Sequence, residues 1–334
     1  MAEHGAAVIG AGDAGRDFIR IFTASERAPL RAVCDLDPAR LTEAAERAPG
    51  VPQCHDFREV AKRADIDVVA ICTPDHLHTE PALAMMEAGK HVIIEKPMAT
   101  TREALRQTIE VSRRTGRKVV HCTQTRWVPA YLDAKRRIAA GELGEIYYAE
   151  TDMSGNVARL FANGWRGEPG INYNLVAGGG VHPLDLLLWL VGDDVVDVYG
   201  QGNLKCLGET GLDTFDCLTF VMRFRGGCVG RCTTSFGTAR PRSRPVEVCG
   251  TKGYFATDPE AVIGHGAQRP EIEKLAGESS GSLRIPLVND FLDAIDQGGE
   301  PLTGLREGAH VSAVCIAAFE SARTGKPVSL AGWW

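Results

Sequence analysis

The chain has 334 residues, 44% hydrophobic and 24% charged, with a formal net charge of −6, enough for two ordinary globular domains of roughly 150 residues each. The acidic balance leaves no broad basic surface, which argues against a nucleic-acid partner, and no apolar run approaches the ~18 residues of a membrane helix. The start, MAEHGAAVIG, passes straight into a strand without a basic-then-apolar leader, so the reading is cytoplasmic; ten cysteines without a CxxC pair read as reduced thiols without disulfides.

Residues 6–10 (AAVIG) form a short apolar strand that runs into Gly10, Gly12 and Gly15, spaced GxGxxG, before a helical pattern with Phe18, Ile19 and Phe22. The first glycine permits the tight turn, the second lets backbone approach a pyrophosphate, and the third lets helix and strand pack closely. Asp13 and Ala14 complete the loop, and the helix start offers N–H groups to phosphate. A second strand, 30–34, ends in Asp35, twenty residues after Gly15. That is where an acid hydrogen-bonds the ribose hydroxyls of NAD and repels the extra phosphate of NADP. Asp37 precedes Pro38, an N-cap followed by N1, and reads as structural.

The alternation continues with a strand at 66–73, a helix at 81–88, a strand at 91–95, a helix at 101–114 and a strand at 118–122. Five strands alternating with helices imply a parallel, doubly wound α/β sheet. Ligands of such sheets lie beyond the carboxyl ends of the strands. There the sequence places the glycine loop, Asp35, Thr73-Pro74, Glu95-Lys96-Pro97 and Gln124-Thr125-Arg126. An NAD-binding domain over 1–124 follows.

Beyond Arg126 the pattern changes. A helix at 131–140 precedes strands at 144–152, 195–200, 213–224, 228–236, 245–249 and 253–256, with Gly226-Gly227 as a hairpin turn. Helices at 287–295 and 307–324 close the chain, covering a face of the sheet or returning to the first domain. Residues 125–334 form a second, substrate-binding domain in this reading. The irregular segment 154–174 carries Arg159, Trp165, Arg166, Tyr173 and Asn174. Aromatic faces, amides and guanidinium groups suit a sugar, and paired arginines also suit a diphosphate; Trp165-Arg166 is the leading substrate candidate. The polar stretch 264–282 reads as a surface excursion.

GAGDAG at 10–15, TPDHLH at 73–78, AGKHVIIEKP at 88–97, QTRWVP at 124–129 and GGGVHPLD at 178–185 together resemble the glucose–fructose oxidoreductase / inositol dehydrogenase family, nearly end to end. AGKHVIIEKP is the most specific of these. The resemblance implies a Rossmann domain followed by an α/β domain with a large open antiparallel sheet. One face of that sheet lines the substrate cleft and the other packs against a second subunit, in a homodimer or homotetramer. It implies Lys96 beside the nicotinamide, a cis Lys96–Pro97 bond, and His182 as the catalytic histidine. His78 matches the family's TPxxxH pattern as a structural or cofactor-proximal residue.

Chemistry supports these roles. Oxidising a secondary alcohol requires a base for the hydroxyl proton as the hydride leaves, and histidine titrates in the right range. A lysine near the nicotinamide either loses its proton or polarises the alcohol oxygen. One departure stands out: where family dehydrogenases often carry an aspartate, four residues before the histidine, this chain has Gly178. Asp185, at i+3 from His182, is the candidate catalytic support. His76 and His78 lack the partners of a metal site, so no metal is expected. The reading is an NAD(H)-dependent oxidoreductase acting on a sugar, cyclitol or nucleotide sugar. Its rivals are a glycoside hydrolase or lyase of the same fold that retains NAD, and a non-catalytic regulatory protein that binds NAD and sugar.

Overall fold

A computed structural model describes residues 2–162, 164–168, 170–171, 173–207, 214–239, 241–258, 260–266, 271–276 and 282–333. The chain separates into two compact units: the part up to Cys122 together with Arg284–Ala309, and Thr123–Leu283 together with His310–Trp333.

The first unit holds six parallel strands, β1 (Ala6–Ile9), β2 (Leu30–Cys34), β3 (Gln53–Cys54), β4 (Val68–Ile71), β5 (His91–Ile94) and β6 (Val119–His121). Their order is β3-β2-β1-β4-β5-β6, so the winding reverses between β1 and β4, where doubly wound sheets bind ligands. Five of these strands match the sequence expectation. β3 does not, because two residues are too short to show a period. The connecting helices are α1 (Asp13–Thr23), α2 (Pro38–Arg47), α3 (Phe57–Ala61), α4 (Thr79–Glu87) and α5 (Arg102–Thr115). Every residue of β1 and β4 is buried, as strands covered on both faces must be. α1 packs through Phe18, Ile19 and Phe22. Asp37 caps α2 by accepting the Ala39 N–H, and Thr101 caps α5 by accepting the Ala104 N–H.

The second unit contains helices α6 (Pro129–Ala139), α7 (Ala158–Ala162) and α8 (Val181–Val191). Its strands are β7 (Ile146–Ser154), β8 (Val195–Asn203), β9 (Cys217–Phe224), β10 (Val229–Ser235), β11 (Val246–Gly250), β12 (Gly253–Ala256), β13 (Val262–His265), β14 (Glu271–Lys274) and β15 (Val328–Ser329). They form one sheet, β14-β13-β12-β11-β7-β10-β9-β8-β15. All pairings are antiparallel except β7 with β10, which run parallel from Val229↔Tyr148 to Ser235↔Ser154. Alternation decides the faces: on β9, Leu218, Phe220, Met222 and Phe224 are buried while Thr219, Val221 and Arg223 are exposed. α8 packs on β7 and β11 through an almost wholly apolar body.

Two differences from the sequence reading have physical causes. The stretch 264–282 is not simply an excursion, since β13 reaches into it and β14 lies within it; all four β14 side chains are exposed and carry no alternation. The strand expected at 213–224 begins at Cys217, residue 213 lying outside the described residues. Before it, the buried Asp216 turns the chain by accepting the N–H groups of Lys205, Cys206 and Leu207 at 2.5–2.8 Å. Of the two closing helices, α9 (Arg284–Gln297) and α10 (Leu305–Thr324), for which the sequence left open a sheet face or a return to the first domain, α9 groups with the first unit. There its Leu287, Phe291 and Leu292 are buried, and Asp296 holds His4 at 2.8 Å and Arg27 at 3.0 Å. Among the described residues no helix is long and apolar enough to cross a membrane, and the ten cysteines are free thiols.

Candidate functional site

In the first unit the three loop glycines serve three purposes. Gly10 has φ +92°, and a Cβ there would sit 2.6 Å from the Cys72 carbonyl, so the β1 and β4 ends approach more closely than side chains allow. A Cβ on Gly15 would overlap the Gly10 carbonyl, so α1 can enter at this angle only on glycine. Gly12 is different: an added Cβ would meet only the Arg40 guanidinium, at 3.7 Å. Gly12 is also the N-cap of α1, with no side-chain cap, and Asp13 and Ala14 form the helix's first turn. This is an open cradle at a helix start, the arrangement that receives a diphosphate.

Asp35 follows β2 and is buried. Its Oδ2 accepts the Ala11 N–H at 2.6 Å and its Oδ1 accepts the Asp37 N–H at 2.9 Å, with Arg40 Nη1 3.8 Å from Oδ2. The acid therefore shapes the glycine loop. At the end of β4, Thr73 Oγ1 is buried and, among the described residues, has no hydrogen-bond partner. Pro74 starts a short turn, Asp75–Leu77, that carries the exposed His76. The buried His78 ring spans two loops: Nδ1 lies 2.8 Å from the Pro97 carbonyl and Nε2 2.8 Å from the Thr73 carbonyl. An open Gly12, an uncapped helix start, an orphaned hydroxyl at Thr73 and the Asp35 carboxylate all fit NAD.

After β5 come Glu95, Lys96 and Pro97, with a cis Lys96–Pro97 bond. Glu95 is buried; its Oε1 accepts from Arg284 Nη2 at 2.6 Å and its Oε2 accepts the Lys96 N–H at 3.1 Å. Burial alone would raise the Glu95 carboxyl, but the Arg284 guanidinium and the Lys96 ammonium hold it below the usual range. Arg284 also bonds Asp17 on α1 at 2.6 Å. It was invisible in the sequence reading, because no local motif ties an arginine at the start of α9 to a strand end 189 residues earlier.

In the second unit, Gln124 precedes the turn Thr125–Trp127, and its Oε1 is buried without a partner among the described residues. Arg126 donates from Nε to Asp185 Oδ2 at 2.9 Å and from Nη2 to Oδ1 at 2.6 Å. Thr125 Oγ1 donates to the His182 carbonyl at 3.5 Å. His182 stands at the second position of α8, half-buried, behind a wide π-turn at Val176–Gly180. Asn174 starts that turn: its Oδ1 accepts the N–H groups of Val176 and Ala177 at 3.0 and 3.2 Å, and its Nδ2 donates to the Cys315 carbonyl at 2.8 Å. Its amide is thus committed to backbone.

Trp165, Arg166 and Tyr173 converge. Trp165 and Tyr173 have ring centroids 5.9 Å apart, and the Arg166 guanidinium lies 4.4 Å from the Trp165 centroid and 5.6 Å from that of Tyr173. The Arg159 side chain lies outside the described residues. Among the described residues no group of three or more His, Cys, Asp or Glu converges on a metal position.

Residues 5–122 match the oxidoreductase family with an NAD-binding Rossmann fold, and residues 135–330 match that family's C-terminal alpha/beta domain. The chain belongs to the glucose–fructose oxidoreductase / inositol dehydrogenase (Gfo/Idh/MocA) family. As a Gfo/Idh/MocA protein it is an NAD-dependent oxidoreductase. It is 36% identical to inositol 2-dehydrogenase 2 of Saccharopolyspora erythraea over 191 residues, which span 57% of this chain and 54% of that relative. It is 24% identical to inositol 2-dehydrogenase of Rhizobium meliloti over 97% of this chain and 98% of the relative. The WlbA dehydrogenase of Bordetella pertussis, solved with NADH and UDP-GlcNAcA, shares its fold with a TM-score of 0.82 and 24% identity, over 98% of this chain and 99% of that one.

Proposed function

We propose that this family member transfers a hydride between a secondary alcohol of a sugar, cyclitol or nucleotide sugar and NAD, with Lys96 and His182 at the reacting end. The observation that carries this reading is how firmly the neighbours of these two residues are held. Glu95 is bound by Arg284, Pro97 by His78, Asp185 by Arg126 and Asn174 by backbone. A reactive pair needs such a supporting shell to keep its geometry.

Bound NAD supplies the hydride acceptor. His182 takes the hydroxyl proton as the alcohol is oxidised, and the Lys96 ammonium polarises the alcohol oxygen. The glycine loop, Asp35 and Thr73 hold the dinucleotide, with Asp35 selecting NAD over NADP by charge. Arg126, Asp185 and Asn174 are supports. Trp165 and Arg166 present one aromatic face and one cation, backed by the buried Tyr173, a combination that receives a hydroxylated ring or a phosphorylated one. The protein works as a homodimer or homotetramer.

The test follows absorbance at 340 nm with NAD or NADP against inositols, aldoses, glycosides and nucleotide sugars. A rise with one substrate class, lost in Lys96→Met while NADH binding persists, supports the reading. Undiminished turnover in Lys96→Met overturns the role of Lys96. No net rise, with NAD released only on denaturation, points to the retained-cofactor hydrolase or lyase instead.

A further inference from the structure

We infer that Cys54 and Cys34 form a modification site for peroxide: the facing thiols close to a reversible disulfide, and closure loosens the NAD cradle through Asp35. The coupling rests on the cofactor role proposed for Asp35; the thiol chemistry does not.

The backbone brings the two thiols together. β2 and β3 run parallel with Cys34 and Cys54 as register partners, and register partners on adjacent strands send their side chains to the same face. The thiols are hydrogen-bond partners of each other, and Cys54 Sγ also lies 3.9 Å from the Val33 carbonyl. Neighbouring strands lie about 4.7–4.9 Å apart, within the ~4.4–6.8 Å that separates the Cα atoms of a disulfide. Only a small inward pull remains, to bring the Cβ atoms to about 3.5–4.5 Å. β3 has two residues and sits at the sheet edge, so few ladder bonds resist that pull.

The two sulfurs are not equivalent. Cys34 is buried and Cys54 half-buried. The hydrogen bond from the Cys34 thiol, helped by the charge of Arg63, lowers Cys54 below the ordinary thiol value, against its burial and the carboxylates of Glu59 and Asp56. The same hydrogen bond, then burial and the charges of Cys54, Asp35 and Asp56, push Cys34 up. Burial also pushes up the thiols of Cys72, Cys122 and Cys315. A more acidic, reachable thiol beside a buried neutral one is an attacking cysteine with its resolving partner.

Hydrogen peroxide is the oxidant. The Cys54 thiolate attacks it: an S–O bond forms, the O–O bond breaks, and the departing hydroxide leaves as water with the thiol proton. The Cys34 sulfur then attacks that of Cys54: the S–S bond forms, the S–O bond breaks, and hydroxide leaves as water with the Cys34 proton. Two electrons pass from the thiols to the peroxide, and a dithiol reductant restores them.

Cys34 immediately precedes Asp35. The Asp35 N–H donates to the Cys54 carbonyl at 3.2 Å, and the Asp35 carbonyl lies 3.2 Å from His55 Nδ1. Drawing these strand ends together moves the residue whose carboxylate holds the Ala11 N–H of the glycine loop at 2.6 Å.

The experiment treats the full chain with a few equivalents of hydrogen peroxide, maps its tryptic peptides and titrates NADH by fluorescence. Trypsin leaves Cys34 in 32–40 and Cys54 in 48–58, so the disulfide is read as these two peptides joined. The joined species forms, dithiothreitol separates it, and NADH affinity falls about tenfold, the loss of one hydrogen bond at the loop, and returns on reduction. In Cys34→Ala the reaction stops at the Cys54 sulfenic acid, which dimedone traps. In Cys54→Ser, peroxide leaves NADH affinity unchanged. Both thiols still free once the exposed Cys206 is oxidised overturns the site, as does wild-type Cys54 running on to sulfinic acid. A disulfide that leaves NADH affinity unchanged overturns the coupling. Wild-type NADH affinity in Asp35→Ser sinks the cofactor role of Asp35 while the joined peptides still form, so the two failures are distinguishable.

Discussion

Arg126 and Asp185 meet through two parallel hydrogen bonds, at 2.9 and 2.6 Å, with both side chains at most 3% exposed. The pair ties the turn after β6 to α8, three residues beyond His182. Removing one partner strands a buried charge. Asp185→Ala is therefore expected to cost the second unit about 3–5 kcal/mol, and Arg126→Met/Asp185→Leu to recover most of that. Urea unfolding curves check both, and a cost below about 1 kcal/mol for the single variant contradicts the assignment.

Gly12 and Gly15 separate folding from binding. Gly15→Ala drives a methyl into the Gly10 carbonyl and lowers stability as well as NADH binding. Gly12→Ala has room at 3.7 Å and an ordinary φ of −69°, so the protein stays folded with its unfolding free energy within ~1 kcal/mol. NADH affinity nevertheless falls at least about tenfold, because the methyl occupies the phosphate cradle. NADH fluorescence titration alongside thermal melts reads the contrast; equal NADH affinity in Gly12→Ala and wild type removes the cradle from this loop.

Asp35 shapes the loop, its oxygens holding the N–H groups of Ala11 and Asp37, and in the proposed function the same carboxylate selects the cofactor. Asp35→Ser removes the charge and keeps an acceptor. The ratio of NADPH to NADH affinity is expected to rise by on the order of tenfold, about 1.4 kcal/mol. Fluorescence titration with both reduced cofactors measures it, and an unmoved ratio means that another group selects the cofactor.

His91 gives the fold an acid weakness. Its Nδ1 accepts the Lys118 N–H at 3.0 Å. Burial first, then the charges of Arg117, Lys118 and His4, lower it from 6.5 to about 4. Above pH 6.5 neither the folded nor the unfolded ring is protonated and the residue is silent. From there down to about 4 the unfolded chain takes up a proton that the folded chain refuses, so stability falls. His91→Asn keeps an acceptor near Nδ1 without titrating. Urea midpoints at pH 7.5 and 4.5 should converge in this variant relative to wild type; an identical drop in both proteins contradicts the prediction.

The first sheet was legible because VVAI and HVII are unbroken apolar runs and the glycine spacing marks the loop between β1 and α1. β3 and β14 were not: one has two residues and the other, EIEK, is exposed throughout. At the site, Lys96 and His182 stood out because motif and chemistry coincide on them. For Asn174 the structure adds a backbone-capping role that an amide's place in the sequence does not reveal. Arg284, and the packing of the Tyr173 hydroxyl against Gly178, were hidden because each depends on which segment presses on which, and no local period records that.

The return of Arg284–Ala309 to the first unit sets an order of maturation during synthesis. When Cys122 leaves the ribosome, the six strands exist but Glu95 has no Arg284, so a buried carboxylate waits for its counter-ion. All of Thr123–Leu283 must emerge first, which at ~5–20 residues per second takes on the order of ten to thirty seconds. The unit that starts first is finished late, and a gene cut after Cys122 encodes a Rossmann sheet without the helix that neutralises it.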